Sequence, residues 1–270
     1  MDSGLGGLSV LRQIAAASPS VDLLYFADCA YCPYGNRSTE DIRTRVGWIA
    51  QHLLSLGAGV LVVACNTASA AALEWLRARV DVPVVGMEPA VKPAASTTRS
   101  GRIGVLATPR TLEADRFSRL LSRFASGIEV FSEPALDLVE AVEQGKTEGP
   151  EVTGLLRNRL ARLMDQQVDT LVLGCTHYPF LTESMKKILG PDVAVIDPGP
   201  SVAAQALRVR RATHGPLPTR SSRRGIWFES SAPCREPLAV AKRICPKLDI
   251  QCGPPTGDLP RKQGGPAPSR

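Results

Sequence analysis

Short runs rich in valine, leucine and isoleucine recur along the chain at 21–27 (VDLLYFA), 59–64 (GVLVVA), 82–87 (VPVVGM), 102–107 (RIGVLA), 168–174 (VDTLVLG) and 192–196 (DVAVI). Longer stretches of helical apolar spacing lie near 8–17, 40–56, 67–79, 110–125, 152–166 and 180–189. Runs this short, bounded by turn residues, predict strands rather than buried helical turns. Strands alternating with helices predict an α/β fold with parallel sheets covered on both faces. In such sheets ligands bind at the carboxyl ends of the strands, so those ends are where chemistry is expected.

Two of the strand ends are alike: LVVACNTAS at 61–69 and LVLGCTHYP at 171–179. Each is a leucine-valine strand, one small residue, a cysteine, and polar groups suited to opening a helix. A lone free cysteine most often packs as a small hydrophobe. Cys65 beside Asn66 and Thr67, and Cys175 beside Thr176 and His177, occupy equivalent places and suggest two related halves, each presenting one thiol. A helix N-terminus favours the thiolate, and an imidazole two residues away does the same or passes protons. Two facing thiols could close a disulfide, bind a soft metal, or exchange the proton of a carbon held between them. The first two leave Ser3, Asn66, Thr67 and Thr176 without a task. Proton exchange uses them to hold carboxylates. The opening MDSGLGGLSV has the composition of a strand-to-helix anion loop, although no strand precedes it.

The net charge of +6 narrows the partners by its location. Residues 198–224 carry Arg208, Arg210, Arg211, Arg220, Arg223 and Arg224 and no acid, so the remainder is neutral. That pattern reads as a solvated basic loop and gives no nucleic-acid footprint, and 5% aromatics leave little for base stacking. No apolar run reaches the roughly 20 residues that cross a bilayer, and no signal peptide is visible, so a cytoplasmic protein without a membrane partner is expected. Seven cysteines without an export signal argue against a disulfide framework. The histidines, 52, 177 and 214, are too scattered for a zinc site, and no metal is expected. Half of the last 18 residues are glycine or proline, so 253–270 is expected to be a disordered tail.

DSGLGGLSVLR at 2–12, YFADCAYCPYGNRS at 25–38, VVACNTASA at 62–70, IGVLATPRTL at 103–112 and LVLGCTHYP at 171–179 together closely resemble the glutamate racemases, cofactor-independent members of the aspartate/glutamate racemase family. The resemblance implies two pseudo-symmetric parallel-sheet α/β domains with the active site at their interface. Residues 1–88 with 198–252 form the first and 89–197 the second, often in a homodimer. It implies glutamate as substrate, no cofactor, and D-glutamate supplied for peptidoglycan. Cys65 and Cys175 match the two acid/base thiols, Asp2 the aspartate that assists the first and His177 the histidine that assists the second. Asp2, Ser3, Tyr34, Gly35, Asn66, Thr67, Thr176 and His177 match substrate-binding positions. Glu140, in LVEAVEQG, and Thr108 match further residues near the site. Cys29 and Cys32 match no required cysteine and are read as packing thiols.

The family's first strand, which runs into the aspartate, is missing before Met1, so Asp2 and Ser3 are expected on an untethered end. Beyond about residue 198 the chain diverges from the family, with only GIWFESSAP at 225–233 faintly similar. Those departures leave a second reading, a catalytically impaired paralogue that binds or regulates; an aspartate racemase-like enzyme is a third.

Overall fold

The computed structural model of the chain describes residues 1–215 and 225–253. Leu8–Ala17 (α1) buries Leu8, Val10, Leu11 and Ile14, the face its apolar spacing defines. Leu23–Ala27 (β1) follows, and Ser38 caps Thr39–Ser55 (α2) by accepting from the Asp41 N–H at 3.1 Å. Leu61–Val62 (β2), Asn66–Arg77 (α3) and Val84–Val85 (β3) complete the first stretch, with β2 and β3 paired in parallel.

The next stretch runs through Val91–Thr97 (α4), Arg102–Ala107 (β4), Pro109–Leu112 (α5), Asp115–Phe124 (α6), Glu129–Pro134 (β5), Leu136–Glu143 (α7), Pro150–Met164 (α8), Thr170–Gly174 (β6), Thr182–Leu189 (α9) and Ala194–Ile196 (β7). Its four strands form one parallel sheet in the order β5-β4-β6-β7. Alternation along β6 explains why the sheet is covered on both sides. Leu171 and Leu173 pack with Leu138, Leu156 and Leu160 from α7 and α8, whereas Val172 points into Val91, Ala94, Phe117 and Leu120 from α4 and α6.

The chain then returns to the first half. Gly199–His214 (α10) packs Val202, Ala203 and Ala206 against Val10 and Ile14 of α1. Ile226–Ser230 (β8), Arg235–Ile244 (α11) and Ile250–Cys252 (β9) follow, and β8 pairs in parallel with β1 on one side and β9 on the other.

The N-terminal end is tethered, contrary to the expectation from the sequence. The Met1 ammonium donates to the Val62 carbonyl at 2.9 Å and the Ala64 N–H donates to Met1 O at 2.9 Å. On the other side Asp2 N–H donates to Phe26 O at 3.1 Å and Asp28 N–H to Asp2 O at 3.0 Å. Met1 and Asp2 therefore join β2 to β1 and are buried between them. Next to them, a cavity of about 340 Å³ lined by Leu24, Val60, Leu61 and Ala206 separates the two strands.

Two further expectations are corrected. The basic stretch is a helix as far as His214, because Val202, Ala203 and Ala206 recur at helical spacing and bury against α1, while Arg208, Arg210 and Arg211 stay outside that contact. Arg220, Arg223 and Arg224, and the tail expected beyond Gly253, lie outside the described residues. A disulfide joins Cys234 and Cys252. Parallel pairing puts Cys252 beside Phe228, and the chain turns back after β8 so that Cys234 heads α11 over the same strand ends.

Candidate active site

Cys65 stands where β2 gives way to α3 and serves as the N-cap of that helix, its sulfur accepting from the Ala68 N–H at 3.4 Å. The thiol also lies 3.7 Å from Ser3 Oγ. Burial pushes the Cys65 thiol up, and the charge of Asp2 adds to this; the Ala68 N–H and Ser3 act the other way. Cys65 also feels the charge of Cys175, so the two sulfurs are electrostatic neighbours despite coming from different sheets.

On the opposite side Cys175 follows the last residue of β6, with its Sγ 3.5 Å from His177 Nδ1. His177 Nε2 lies 2.5 Å from Glu143 Oε1, which also accepts from the Leu5 N–H at 2.7 Å. Burial alone would lower the pKa of this imidazole. Its contacts with Cys175, Cys32 and Glu143 overcome that and hold it well above the ordinary histidine value. A cationic ring thus faces one thiol, while an acid, Asp2, flanks the other.

The loop of residues 2–7 ties the two sides together. A Cβ on Gly6 would fall 2.4 Å from His177 Nδ1 and 2.5 Å from Thr176 Oγ1, so only glycine permits this approach. Asp2 Oδ2 accepts from the Gly7 N–H at 2.7 Å, while its buried Oδ1 has no partner among the described residues. Burial raises the Asp2 pKa, opposed by His177 and the Gly7 N–H. Asn66 likewise keeps both side-chain amide atoms buried without partners. Buried polar atoms without partners are rare, and a polar ligand held between the two sides would supply the missing bonds.

Three hydroxyls complete the wall. Thr67 Oγ1 lies 2.9 Å from Thr108 Oγ1 and 3.3 Å from Thr111 Oγ1, so α3 and α5 meet through polar atoms. Gly35 faces Leu136 and Thr108, where a Cβ would fall 2.8 Å and 3.3 Å from their side chains. Tyr34 turns its hydroxyl to Asp28 at 2.5 Å, and the fully buried Asp28 is clamped by Arg45 at 2.7 and 2.9 Å. The tyrosine therefore anchors its loop, leaving Gly35 beside the threonines.

Against known sequences, the model of the family described as Asp/Glu/Hydantoin racemase matches residues 5–206. The chain belongs to this racemase family. A glutamate racemase from Pseudomonas aeruginosa is 54% identical over 212 residues, covering 78% of this chain and 80% of that protein. Among solved structures, a glutamate racemase isoform from Bacillus anthracis superposes with a TM-score of 0.83 at 31% identity, covering 97% of both chains. The Escherichia coli glutamate racemase, solved with L-glutamate and the activator UDP-MurNAc-ala, gives 0.80 at 31% identity, covering 93% of this chain and 95% of that one. The fold is thus the two-domain α/β racemase fold.

Within that racemase frame, one sequence-based assignment changes. Glu140 is exposed on α7 and does not touch the thiol cluster. The glutamate that does is Glu143, one turn further on and the last residue of the helix. No local signal separates the two glutamates, because the deciding contact with His177 comes from another element. Thr111 and the Asp28–Arg45 pair were also missed, because no local pattern marks the contact of Thr111 with Thr67 or of Asp28 with Arg45.

Proposed function

We infer that the chain is an isomerase that interconverts L- and D-glutamate without a cofactor, using Cys65 and Cys175 on opposite faces of the substrate Cα. A single base would return the proton to the face it came from, so inversion needs two. One sulfur as thiolate removes the Cα proton while the other as thiol delivers a proton from the far side; the reverse direction starts from the opposite pair of protonation states. Burial and Asp2 favour the thiol form of Cys65, the state that donates the proton in one of the two directions. The protonated His177 lies beside Cys175, within reach to exchange a proton with it, and Glu143 holds the ring in place.

The Cα proton of an amino acid is weakly acidic, so the developing carbanion needs fixed donors in a site that excludes water. Thr67, Thr176 and the N–H groups that open α3 suit the α-carboxylate. The orphaned Asp2 Oδ1 suits the ammonium group, and the orphaned Asn66 amide suits a second polar arm. Ser3 lies beside Cys65 and Gly35 beside Thr108, and Tyr34 fixes the loop that carries Gly35.

The observation that carries this reading is the pair of buried thiols from the two halves, each with its own assisting group. The glutamate racemases to which the chain is similar support glutamate as the substrate. The reading extends to a division into residues 1–88 with 198–252 and 89–197, a homodimer, and a cytoplasmic enzyme supplying D-glutamate for peptidoglycan. No helix among the described residues is long and apolar enough to cross a membrane.

The test is to incubate the purified chain with L-glutamate and follow its optical signal. Decay to an equal mixture of enantiomers, with L-aspartate unchanged, is expected. Binding of glutamate without decay would instead make the chain an impaired paralogue, and turnover of aspartate in preference would reassign the substrate.

A further inference from the structure

Cys32 belongs to no step above, yet it lies against the catalytic histidine. It closes the short turn Cys29–Tyr31, next to Pro33, and helps hold His177 in its cationic form. One ligand atom each of Cys32, Glu143 and His177 lies within 4.8 Å of the other two. The three come from separate parts of the chain: a loop after β1, the end of α7 and the segment after β6. Gly4 closes the cluster from the side, since a Cβ there would fall 2.2 Å from Glu143 Oε1 and 2.9 Å from Cys32 Sγ.

We propose that Cys32, Glu143 and His177 form an inhibitory binding site for a zinc-like divalent cation. One sulfur, one imidazole nitrogen and one carboxylate oxygen are a zinc donor set, and three protein ligands leave a fourth position for water. The thiolate selects against magnesium and calcium, which take oxygen ligands. The scattered histidines that argued against zinc in the sequence do not count here, because a single histidine suffices once folding brings Cys32 and Glu143 to it. Binding releases the Cys32 thiol proton and the Nε2 proton of His177 to solvent, and the cation takes their places.

The consequence rests on the racemase reading. His177 Nε2 currently pairs with Glu143, and that contact orients the ring whose Nδ1 faces Cys175. A cation on Nε2 captures both partners of the pair and fixes the ring as a metal ligand. Cation binding and proton transfer therefore compete for one imidazole, and Cys32 makes the site selective for thiophilic metals without taking part in turnover.

The untagged, reduced full chain would be titrated with Co²⁺ in metal-free buffer, reading the thiolate-to-cobalt charge-transfer absorption and its loss when Zn²⁺ is added. One equivalent of cobalt should bind with this band, and zinc should displace it. Cys32→Ser should abolish the band, Glu143→Gln should weaken binding about 10- to 100-fold, and Cys65→Ser and Cys29→Ser should keep it. As a check that needs no variant, Zn²⁺ should protect Cys32 from alkylation in the unaltered chain, read by mass spectrometry. Absence of a saturable band, a band that survives Cys32→Ser, or unprotected Cys32 would each overturn the proposal. In the activity arm, Zn²⁺ should inhibit racemisation, and Cys32→Ser should relieve this about tenfold or more. A metal-binding chain that does not turn over glutamate in metal-free buffer refutes the racemase reading alone. Racemisation without cobalt binding refutes only the metal site.

Discussion

Glu143 Oε1 lies 2.5 Å from His177 Nε2, in a contact that spans from the end of α7 to the segment after β6. The pair fixes the ring whose other nitrogen faces Cys175, so Glu143 acts on the reaction through His177. Replacing Glu143 with Gln should lower kcat roughly 100-fold with a smaller effect on KM. Replacing the exposed Glu140 with Ala should change kcat and KM by less than about twofold and stability by less than about 0.5 kcal/mol. Steady-state kinetics of both variants checks the assignment, and a larger loss at Glu140 would reverse it.

The same pair makes stability depend on pH. The folded pKa of His177 lies above its unfolded value, so its contribution is fully present below about pH 6.5 and is lost as pH rises through the folded pKa. The cost of Glu143→Gln should therefore be greatest near pH 6, at about 1–3 kcal/mol, and fade at alkaline pH. Urea unfolding at several pH values measures it; a cost that is flat with pH or grows towards alkaline values counts against a charged His177.

Arg45 is expected to matter more for stability than its distance from the sulfurs suggests. Asp28 is fully buried and receives both the Arg45 guanidinium and the Tyr34 hydroxyl. Arg45→Ala would strand that carboxylate and should cost about 3–5 kcal/mol, with Arg45→Lys intermediate because it cannot make the two-pronged contact. Thermal or chemical unfolding reads this directly. A cost below about 1 kcal/mol would mean that the pair does not anchor the Tyr34–Gly35 loop.

The threonine triangle gives a prediction about binding. Thr108 caps α5 and shares its hydroxyl with Thr67 and Thr111. Thr108→Val should destabilise the chain by about 1 kcal/mol and raise the KM for glutamate about tenfold, the worth of one lost polar contact, while kcat changes less. A fall in kcat at unchanged KM would place Thr108 in the transition state rather than in the wall of the pocket.

The strand ends that carry the thiols were legible because a buried parallel strand has a local signature, an apolar run such as LVLG stopped by polar residues. β5 lacked it. It is an edge strand whose sequence, EVFSEP, carries three exposed positions and a buried glutamate and has no long apolar run. α10 was hidden by its arginines, since the alanines that bury against α1 give a weak hydrophobic signal. Glu140 and Glu143 share one helix, and local pattern alone does not choose between them. What decides is a contact with His177, a residue on another element. The tether of Met1 and Asp2 was invisible for the same reason, being made of backbone bonds to two remote strands.

The central claim is that Cys65 and Cys175 work from opposite faces of one carbon, and isotope transfer in heavy water tests it most directly. Starting from unlabelled L-glutamate in D₂O, early D-glutamate should carry deuterium at Cα while the recovered L-glutamate remains unlabelled. Cys65→Ser and Cys175→Ser should each stop the conversion. D-glutamate that retains the original protium, or conversion that survives replacement of both cysteines, would contradict the two-thiol account.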